Sequence, residues 1–409
     1  MQQMNPNTIK KIDYWLGQPI CFFLTVIRKI FPFLMKKTDV RRILFLKFIE
    51  QGATVLAYGA IKRAIEIAGK ENVYFCVFEK NRPILDILDV IPQENIITIQ
   101  EGNFFSFLSS AFSSLIKIRK VKTDTVIDME FFSRASAIFS FLCGAKIRVG
   151  LHRFTSELPY RGDLMTHRIQ YNTYLHTSLF YNLLVEAILQ NPAEIPMMKI
   201  KYNISSLSIP YFIPSEAEKN AVNAKIENAF SAAPDFNNGC IVLLNPNASD
   251  MLPLRKWEPD KFVELGKKIL SENKNARIVI TGAPSEQPSA EEICKSIDSP
   301  KAVSLAGKTT LREILVLYYL SALLITNDSG PGHFASLTKI KTIILFGPET
   351  PKLFSPVSPN AHVIWKELAC SPCVNVFNHR FSPCSNNICM QSISVDEVYA
   401  VVRKLLEKT

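Results

Sequence analysis

The chain has 409 residues, 47% of them hydrophobic and 21% charged, with a formal net charge of +10. That length fits two or three domains, not one, and the apolar content excludes a disordered chain. The basic excess gathers at one end instead of being spread over a face with interleaved aromatics, which argues against nucleic acid as a partner.

Residues 1–42 hold eight Lys or Arg against Asp13 and Asp39, a net +6. Within them Trp15 to Ile27 (WLGQPICFFLTVI) is apolar, Arg28-Lys29 interrupts, and Ile30 to Met35 resumes. A span needs about 20 apolar residues, so the run is too short to cross a bilayer. No small-residue cleavage site follows, so it does not read as a cleaved signal either. Residues 1–40 are therefore expected to form a basic amphipathic segment on an anionic membrane surface, engaged through residues 10–42. Its Phe, Leu and Ile would enter the acyl boundary, with Lys and Arg at the headgroups. The plainer alternative is a helix packed on the protein body. With no export signal, the expected location is the cytoplasm, peripheral on the inner face of the cytoplasmic membrane. Cys21, Cys76, Cys143, Cys240 and Cys294 sit among apolar neighbours and read as buried thiols.

From Arg41 the pattern becomes α/β. Ile43 to Phe48 reads as a strand, Glu50-Gln51-Gly52-Ala53 as a turn, and Thr54 to Ala68 as a helix. Further strands are expected at Asn72 to Phe78, Asn95 to Ile99 and Thr125 to Asp128, with helices at Phe104 to Arg119 and Arg134 to Cys143. Residues 206–238, rich in proline around a short charged helix, read as a linker between a domain at 41–205 and another at 239–409. The alternation then restarts. Strands are expected at Cys240 to Leu244, Arg277 to Thr281, Val303 to Leu305, Ala322 to Thr326 and Thr342 to Phe346. Helices are expected at Lys261 to Asn273, Glu286 to Ile297 and Leu311 to Leu320. Two doubly wound domains place a ligand at the carboxyl ends of their strands, in a central cleft.

The chemistry concentrates in Asn327 to Ser336 (NDSGPGHFAS). A buried strand delivers Asp328 and Ser329 to its carboxyl end, Gly330 permits a tight turn, and Pro331 suits the first helical turn. The unpaired N–H groups of that helix make an anion site fit for a pyrophosphate, with His333 one turn in as a further donor.

This segment resembles the D-[ST]-G-P-x-H-x-A signature of the ADP-heptose:lipopolysaccharide heptosyltransferases, glycosyltransferase family 9. Asn245-Pro246-Asn247-Ala248-Ser249 with Arg255-Lys256-Trp257 resembles its N-P-G-A-S…K-[RK]-W-P segment. Thr281-Gly282-Ala283-Pro284 with Glu286 resembles T-G-G-P-x-E, and Ala306-Gly307-Lys308-Thr309 with Leu311 resembles G-K-T-S-L. Phe346-Gly347-Pro348 with Pro351 resembles F-G-P-T-x-P. The resemblance implies a GT-B fold, two Rossmann-like domains, and transfer of a sugar from a nucleotide diphosphate to a lipid-linked glycan acceptor. Inversion and the absence of a cofactor or obligatory metal are implied with it. By position, Asp328 would contact sugar hydroxyls, and Ser329, Gly330 and His333 the pyrophosphate. Arg255, at the family's lysine, would neutralise phosphate charge, beside Lys256, Asn245 and Ser249. Glu286 would bond the ribose or base, with Thr281 and Gly282 lining that pocket.

The N-terminal domain departs from the family. Its S-x-x-G-D carries the acceptor base, but here Gly52 keeps the glycine and Ala53 replaces the aspartate. Glu50, on the same turn, is the candidate substitute base, and otherwise a surface turn residue; Asp128 and Glu130 are the next carboxylates. Losing the base also leaves open a non-catalytic subunit that binds nucleotide sugar or glycan. His176, in a segment that resembles one of the family's, reads as a core histidine, with a place lining the acceptor cleft as the alternative. Cys370, Cys373, Cys384 and Cys389 have spacings that leave structural zinc, a disulfide or packed thiols open. A zinc-ribbon nucleic-acid binder would leave the ordered motifs unexplained.

Overall fold

Runs of Ile, Val, Leu and Phe bounded by polar turns form short strands buried on both faces, as a parallel sheet covered by helices demands. The computed structural model describes residues 13–31, 39–156, 158–201, 209–230, 239–248, 252–378 and 381–407. The chain divides between Ser208 and Ile209 into two compact units.

In the first unit α1 (Gly17–Ile30) precedes β1 (Ile43–Leu46), α2 (Gln51–Leu56), α3 (Tyr58–Ala68), β2 (Val73–Phe78), α4 (Arg82–Leu88) and β3 (Ile96–Ile99). Then come α5 (Phe104–Val121), β4 (Thr125–Asp128), α6 (Arg134–Leu142), β5 (Ile147–Leu151), β6 (His167–Ile169) and α7 (Thr177–Glu186). The strands run β3-β2-β1-β4-β5-β6, all parallel, with Ile43 opposite Val73 on one side and Thr125 on the other. The order reverses between β1 and β4, the switch point of a doubly wound sheet.

The second unit repeats this plan. Its elements are α8 (Glu216–Phe230), β7 (Cys240–Asn245), α9 (Pro259–Glu272), β8 (Ala276–Ile280), α10 (Gln287–Ile297), β9 (Ala302–Ser304) and α11 (Leu311–Tyr319). There follow β10 (Leu323–Asn327), α12 (Gly330–Ala335), β11 (Lys341–Phe346), α13 (Pro351–Phe354), β12 (Ala361–Trp365), α14 (Ile388–Gln391) and α15 (Val395–Leu406). The order β12-β11-β10-β7-β8-β9 puts the switch point between β7 and β10. Trp257 is fully buried on one side of this sheet, its ring edge-on to Phe262 and its Nε1–H donating to the Ile393 carbonyl at 3.0 Å. Thr310 and Glu313 form a capping box that starts α11.

Several elements differ from expectation. Strand β1 ends at Leu46 and α2 starts at Gln51, so the turn at residue 50 is tighter than the glycine suggested. Strands β5, β6 and β12 went unanticipated because they are short and interrupted by Arg148, His167, Arg168 and His362. Helix α8, inside the stretch read as a linker, buries Val222, Ile226 and Phe230 in the second unit and pairs Glu218 with Arg312 at 2.5 Å. Helix α1 packs on the first unit, yet it turns Arg28 inward. That guanidinium is buried against Asp163, so Arg28 is not the headgroup contact expected of it. Lys10, Lys11, Lys36 and Lys37 lie outside the described residues.

Candidate active site

Strand β10 ends by presenting Asn327, Asp328 and Ser329 beside the loop that follows β7. Asn327 is fully buried and joins the two: its Oδ1 accepts the Trp257 N–H at 3.1 Å, and its Nδ2 donates to the Pro246 carbonyl at 2.9 Å. Ser329 is the N-cap of α12 in extended conformation, but its hydroxyl donates back to the Asn327 carbonyl at 3.1 Å. The Ser329 hydroxyl therefore does not cap the α12 amides; Pro331 has no N–H and the Gly332 N–H donates to the Ser329 carbonyl at 3.2 Å, so the donor character of this helix end rests on Gly330 and His333. His333, on the first turn, is buried.

Arg255 reaches this loop from a short turn, Pro253–Arg255, and its Nη1 lies 3.5 Å from Asp328 Oδ2 and 3.3 Å from Glu349 Oε2. Both carboxylates are buried. One guanidinium thus stands between two acids, and the second, Glu349, is a residue the sequence reading passed over. Burial pushes the Glu349 carboxyl up to about 8, the Asp328 charge adds to that, and Arg255 opposes it. Burial also raises Asp328, against the opposing pull of Arg255 and of the Glu349 hydrogen bond. With its carboxyl raised to about 8, Glu349 is the member of this coupled pair that keeps a proton toward neutral pH. Arg255 Nε and Asn247 Nδ2 are buried donors with no acceptor among the described residues.

The remaining second-unit residues form the adjoining wall. Asn245 Nδ2 donates to Thr281 Oγ1 at 3.1 Å, tying β7 to the end of β8. Glu286 Oε2 accepts the Ala283 N–H at 2.7 Å, which fixes its carboxylate over the turn. A Cβ at Gly282 would stand 3.1 Å from both Asn247 Nδ2 and Glu286 Oε2, so the glycine allows this close approach. Lys256 is half-buried beside Arg255, with its backbone N–H bonded to the Pro253 carbonyl at 3.0 Å. Ser249 lies outside the described residues.

The first unit carries a second ion cluster at its own switch point. Lys47 is fully buried, with Nζ 3.0 Å from Glu50 Oε2 and 3.1 Å from Glu130 Oε2. Glu130 Oε1 also accepts the Phe48 N–H at 2.6 Å and the Ile49 N–H at 3.3 Å. Asp128 is locked between the Arg161 guanidinium and the Ser136 hydroxyl. Both runner-up carboxylates are therefore spent on holding the loop. Glu50 differs: its side chain is 27% exposed, and its backbone is left-handed at φ 70. That conformation costs a non-glycine residue about 1–3 kcal/mol, a strain it shares with the exposed helix ends at Lys122 and Asp298. Glu50 is the N-cap of α2 and Ala53 its third residue, positions whose side chains meet at the same helix end. Gly52 is buried between them. His176 is not a core residue: it caps α7, its Nδ1 accepting the Ser178 N–H at 3.3 Å.

The four C-terminal cysteines lie within electrostatic reach of one another, Cys389 feeling Cys373, Cys384 and Cys370, but each thiol has its own surroundings. Cys370 is exposed and Cys389 buried, Cys373 Sγ accepts the Ser382 hydroxyl at 3.2 Å, and the Cys384 thiol donates to the Asn386 carbonyl at 3.2 Å. All four thiols are free, and among the described residues no three His, Cys, Asp or Glu side chains gather as a metal site.

The profile of glycosyltransferase family 9 (heptosyltransferase) matches residues 113–380. Over 278 residues the chain is 27% identical to lipooligosaccharide heptosyltransferase 2 of Campylobacter jejuni serotype O:6, covering 65% of this chain and 74% of that protein. In fold it is similar to the E. coli ADP-heptose lipopolysaccharide heptosyltransferase II, with TM-score 0.66 at 18% identity over 90% of this chain and 99% of that one. An E. coli heptosyltransferase solved with ADP is similar at TM-score 0.61 and 14% identity, covering 89% of this chain and 99% of that chain.

Proposed function

Because the chain belongs to glycosyltransferase family 9, the heptosyltransferase family, we propose that it moves heptose or a related sugar from a nucleotide diphosphate, ADP-heptose in the first instance, to a lipid-linked acceptor such as lipopolysaccharide core. The observation that carries this reading is the Arg255–Asp328–Glu349 set beside the amino end of α12. The leaving nucleoside diphosphate gains negative charge in the transition state, and a preorganised guanidinium with helix amides stabilises charge at that point. With Glu349 protonated, Arg255 is balanced by Asp328 alone and remains available to phosphate.

In this reading Ser329, Gly330 and His333 hold the pyrophosphate, Asp328 orients the sugar, and Arg255 with Lys256 neutralises phosphate. Asn245 and Ser249 join them at the phosphate, and Glu286 bonds the nucleoside with Thr281 and Gly282 lining that pocket; a relative solved with ADP supports adenine as the base. Glu50 takes the proton of the acceptor hydroxyl, with Gly52 letting the acceptor approach. The inner face of the cytoplasmic membrane is the proposed place of reaction, reached through residues 10–42. Ala53 favours one alternative, a non-catalytic subunit that binds nucleotide sugar or glycan.

Transfer from ADP-heptose and other nucleotide sugars to an acceptor-lipid extract separates the two. Glu50→Gln is expected to lose about 10²–10⁴ in turnover while keeping donor affinity, and Asp328→Ala to lose both. Wild-type protein that binds a donor tightly, transfers to no acceptor, and is indistinguishable from Glu50→Gln overturns the enzyme reading in favour of the binding subunit.

A further inference from the structure

Helix α1 is docked inside out. Its buried face is Gly17, Cys21, Thr25 and Arg28, the small and polar side. Thr25 Oγ1 accepts the Asp163 N–H at 2.9 Å, and Arg28 Nη1 pairs with Asp163 Oδ2 at 2.5 Å. A Cβ at Gly162 would stand 2.7 Å from the Cys21 carbonyl, so the chain accepts a glycine in left-handed conformation to bring α1 this close. The opposite face is apolar and turned outward: Phe22, Phe23, Val26 and Ile30 are exposed, and Trp15 just before the helix is 71% exposed.

Helix α5 docks by an apolar face yet carries a second apolar stripe outward. Phe107, Ala111, Leu115 and Ile118 face the sheet, while Phe105 (81% exposed), Leu108, Phe112 (67%) and Ile116 form one outward stripe at helical spacing. Arg119 and Lys120 continue that stripe at its carboxyl end. Right-handed crossovers from β3 to β4 and from β4 to β5 put α5 and α6 on the same face of the sheet. Phe139 of α6 and Cys143 just after it share a cluster with α5, while Ala137, Ile138 and Phe141 pack with Cys21 and Leu24 of α1. Helices α1 and α5 therefore flank α6 in one layer.

We propose that this layer is a membrane-seating platform, in which α1 and α5 together lay their Phe and Trp side chains into the interface of an anionic bilayer. It extends the membrane contact from residues 10–42 to a second helix of the folded unit and does not rest on the transfer chemistry. Charge identifies the occupant. Helices α1, α5 and α6 contain no Asp or Glu, and Lys29, Lys117, Arg119 and Lys120 are exposed on them. A second copy of the chain seated by two-fold symmetry would set these cations against themselves, whereas anionic headgroups complement them. No helix among the described residues is long and apolar enough to cross a membrane. Helices of this kind lie in the interface plane.

The test is co-sedimentation of the full chain with vesicles of phosphatidylcholine, alone or mixed equally with phosphatidylglycerol. Salt-sensitive binding to the mixed vesicles is expected. Phe105→Ser with Phe112→Ser, and separately Lys117→Glu with Lys120→Glu, should each lower the partition coefficient at least about tenfold. Phe23→Ser with Ile30→Ser should do the same, with unchanged melting temperatures in all three. Equal binding to neutral and anionic vesicles, or wild-type binding by the α5 variants, overturns the platform. So does a wild-type dimer in sedimentation velocity that Phe105→Ser with Phe112→Ser dissolves. Donor affinity, read on the same variants, should not change, which separates failure here from failure of the donor site.

Discussion

Replacing Glu349 by glutamine removes one ionisable group from the donor site while keeping its shape and hydrogen-bonding reach. With a midpoint at about 8, Glu349 is about one-tenth ionised at pH 7 and about nine-tenths at pH 9. Its ionisation turns the Arg255–Asp328–Glu349 set from neutral to singly negative. For a phosphate oxygen about 7 Å away and an effective dielectric near 20, that charge costs about 2 kcal/mol. Screening by Arg255 and solvent reduces this to about 1–2 kcal/mol, or about 5- to 30-fold in donor affinity. The pyrophosphate diester does not titrate in this range, so the wild-type KM for ADP-heptose should rise by that factor between pH 7 and pH 9. In Glu349→Gln the rise should vanish, with KM at pH 7 within about threefold of wild type. Stability gives an independent readout. A carboxyl whose folded pKa is raised contributes stability that is complete below its unfolded value and is lost as pH rises through about 8. The Tm difference, variant minus wild type, should therefore grow from pH 5 to pH 9. A flat wild-type profile, or an equal alkaline rise in Glu349→Gln, would refute the assignment of that proton.

Three further outcomes follow from the same geometry. Glu50→Gly should lose about 10²–10⁴ in turnover yet be no less stable than wild type, since glycine relieves the left-handed backbone; retained turnover would move the base elsewhere. Arg161→Met leaves Asp128 buried without its cation and should cost about 3–5 kcal/mol in urea unfolding, largely restored by adding Asp128→Asn; a loss below about 1 kcal/mol contradicts the buried pair. Chelator treatment should leave Tm unchanged and the purified chain should carry no stoichiometric zinc, whereas one zinc per chain would point to the cysteine cluster.

The sheets were legible where strands are long apolar runs. Cys240–Asn245 and Lys341–Phe346 are such runs, and Thr125–Asp128 appears with the bounds the sequence suggested. The donor loop was legible for a related reason, because its residues follow one another along the chain from Asn327 to His333. Glu349 was not, since it reaches Arg255 only through the pairing of β10 with β11, a contact spanning 94 positions in sequence. A signal existed in hindsight: it occupies the threonine of the F-G-P-T-x-P pattern, opposite a lysine-to-arginine change at Arg255. Lys47 also carried one, as a lone charge inside the apolar text ILFLKF. Periodicity placed the apolar face of α1 but not its direction, because only the Gly162 approach and the Asp163 pairing decide which side is inward.

The two switch points solve one electrostatic problem in opposite ways. At each, one cation stands between two acids: the buried Lys47 between Glu50 and Glu130, the part-buried Arg255 between Asp328 and Glu349. In the first unit the backbone amides of Phe48 and Ile49 take up Glu130, so the carboxylate left nearest solvent is Glu50. That arrangement suits a proton acceptor. In the second unit both acids are buried beside the cation, and burial with the Asp328 charge raises the Glu349 carboxyl to about 8. That arrangement suits an anionic ligand, because the site's negative charge is reduced before the diphosphate arrives. The same strand order therefore yields a basic site or an anion site according to where the second carboxylate finds its compensation.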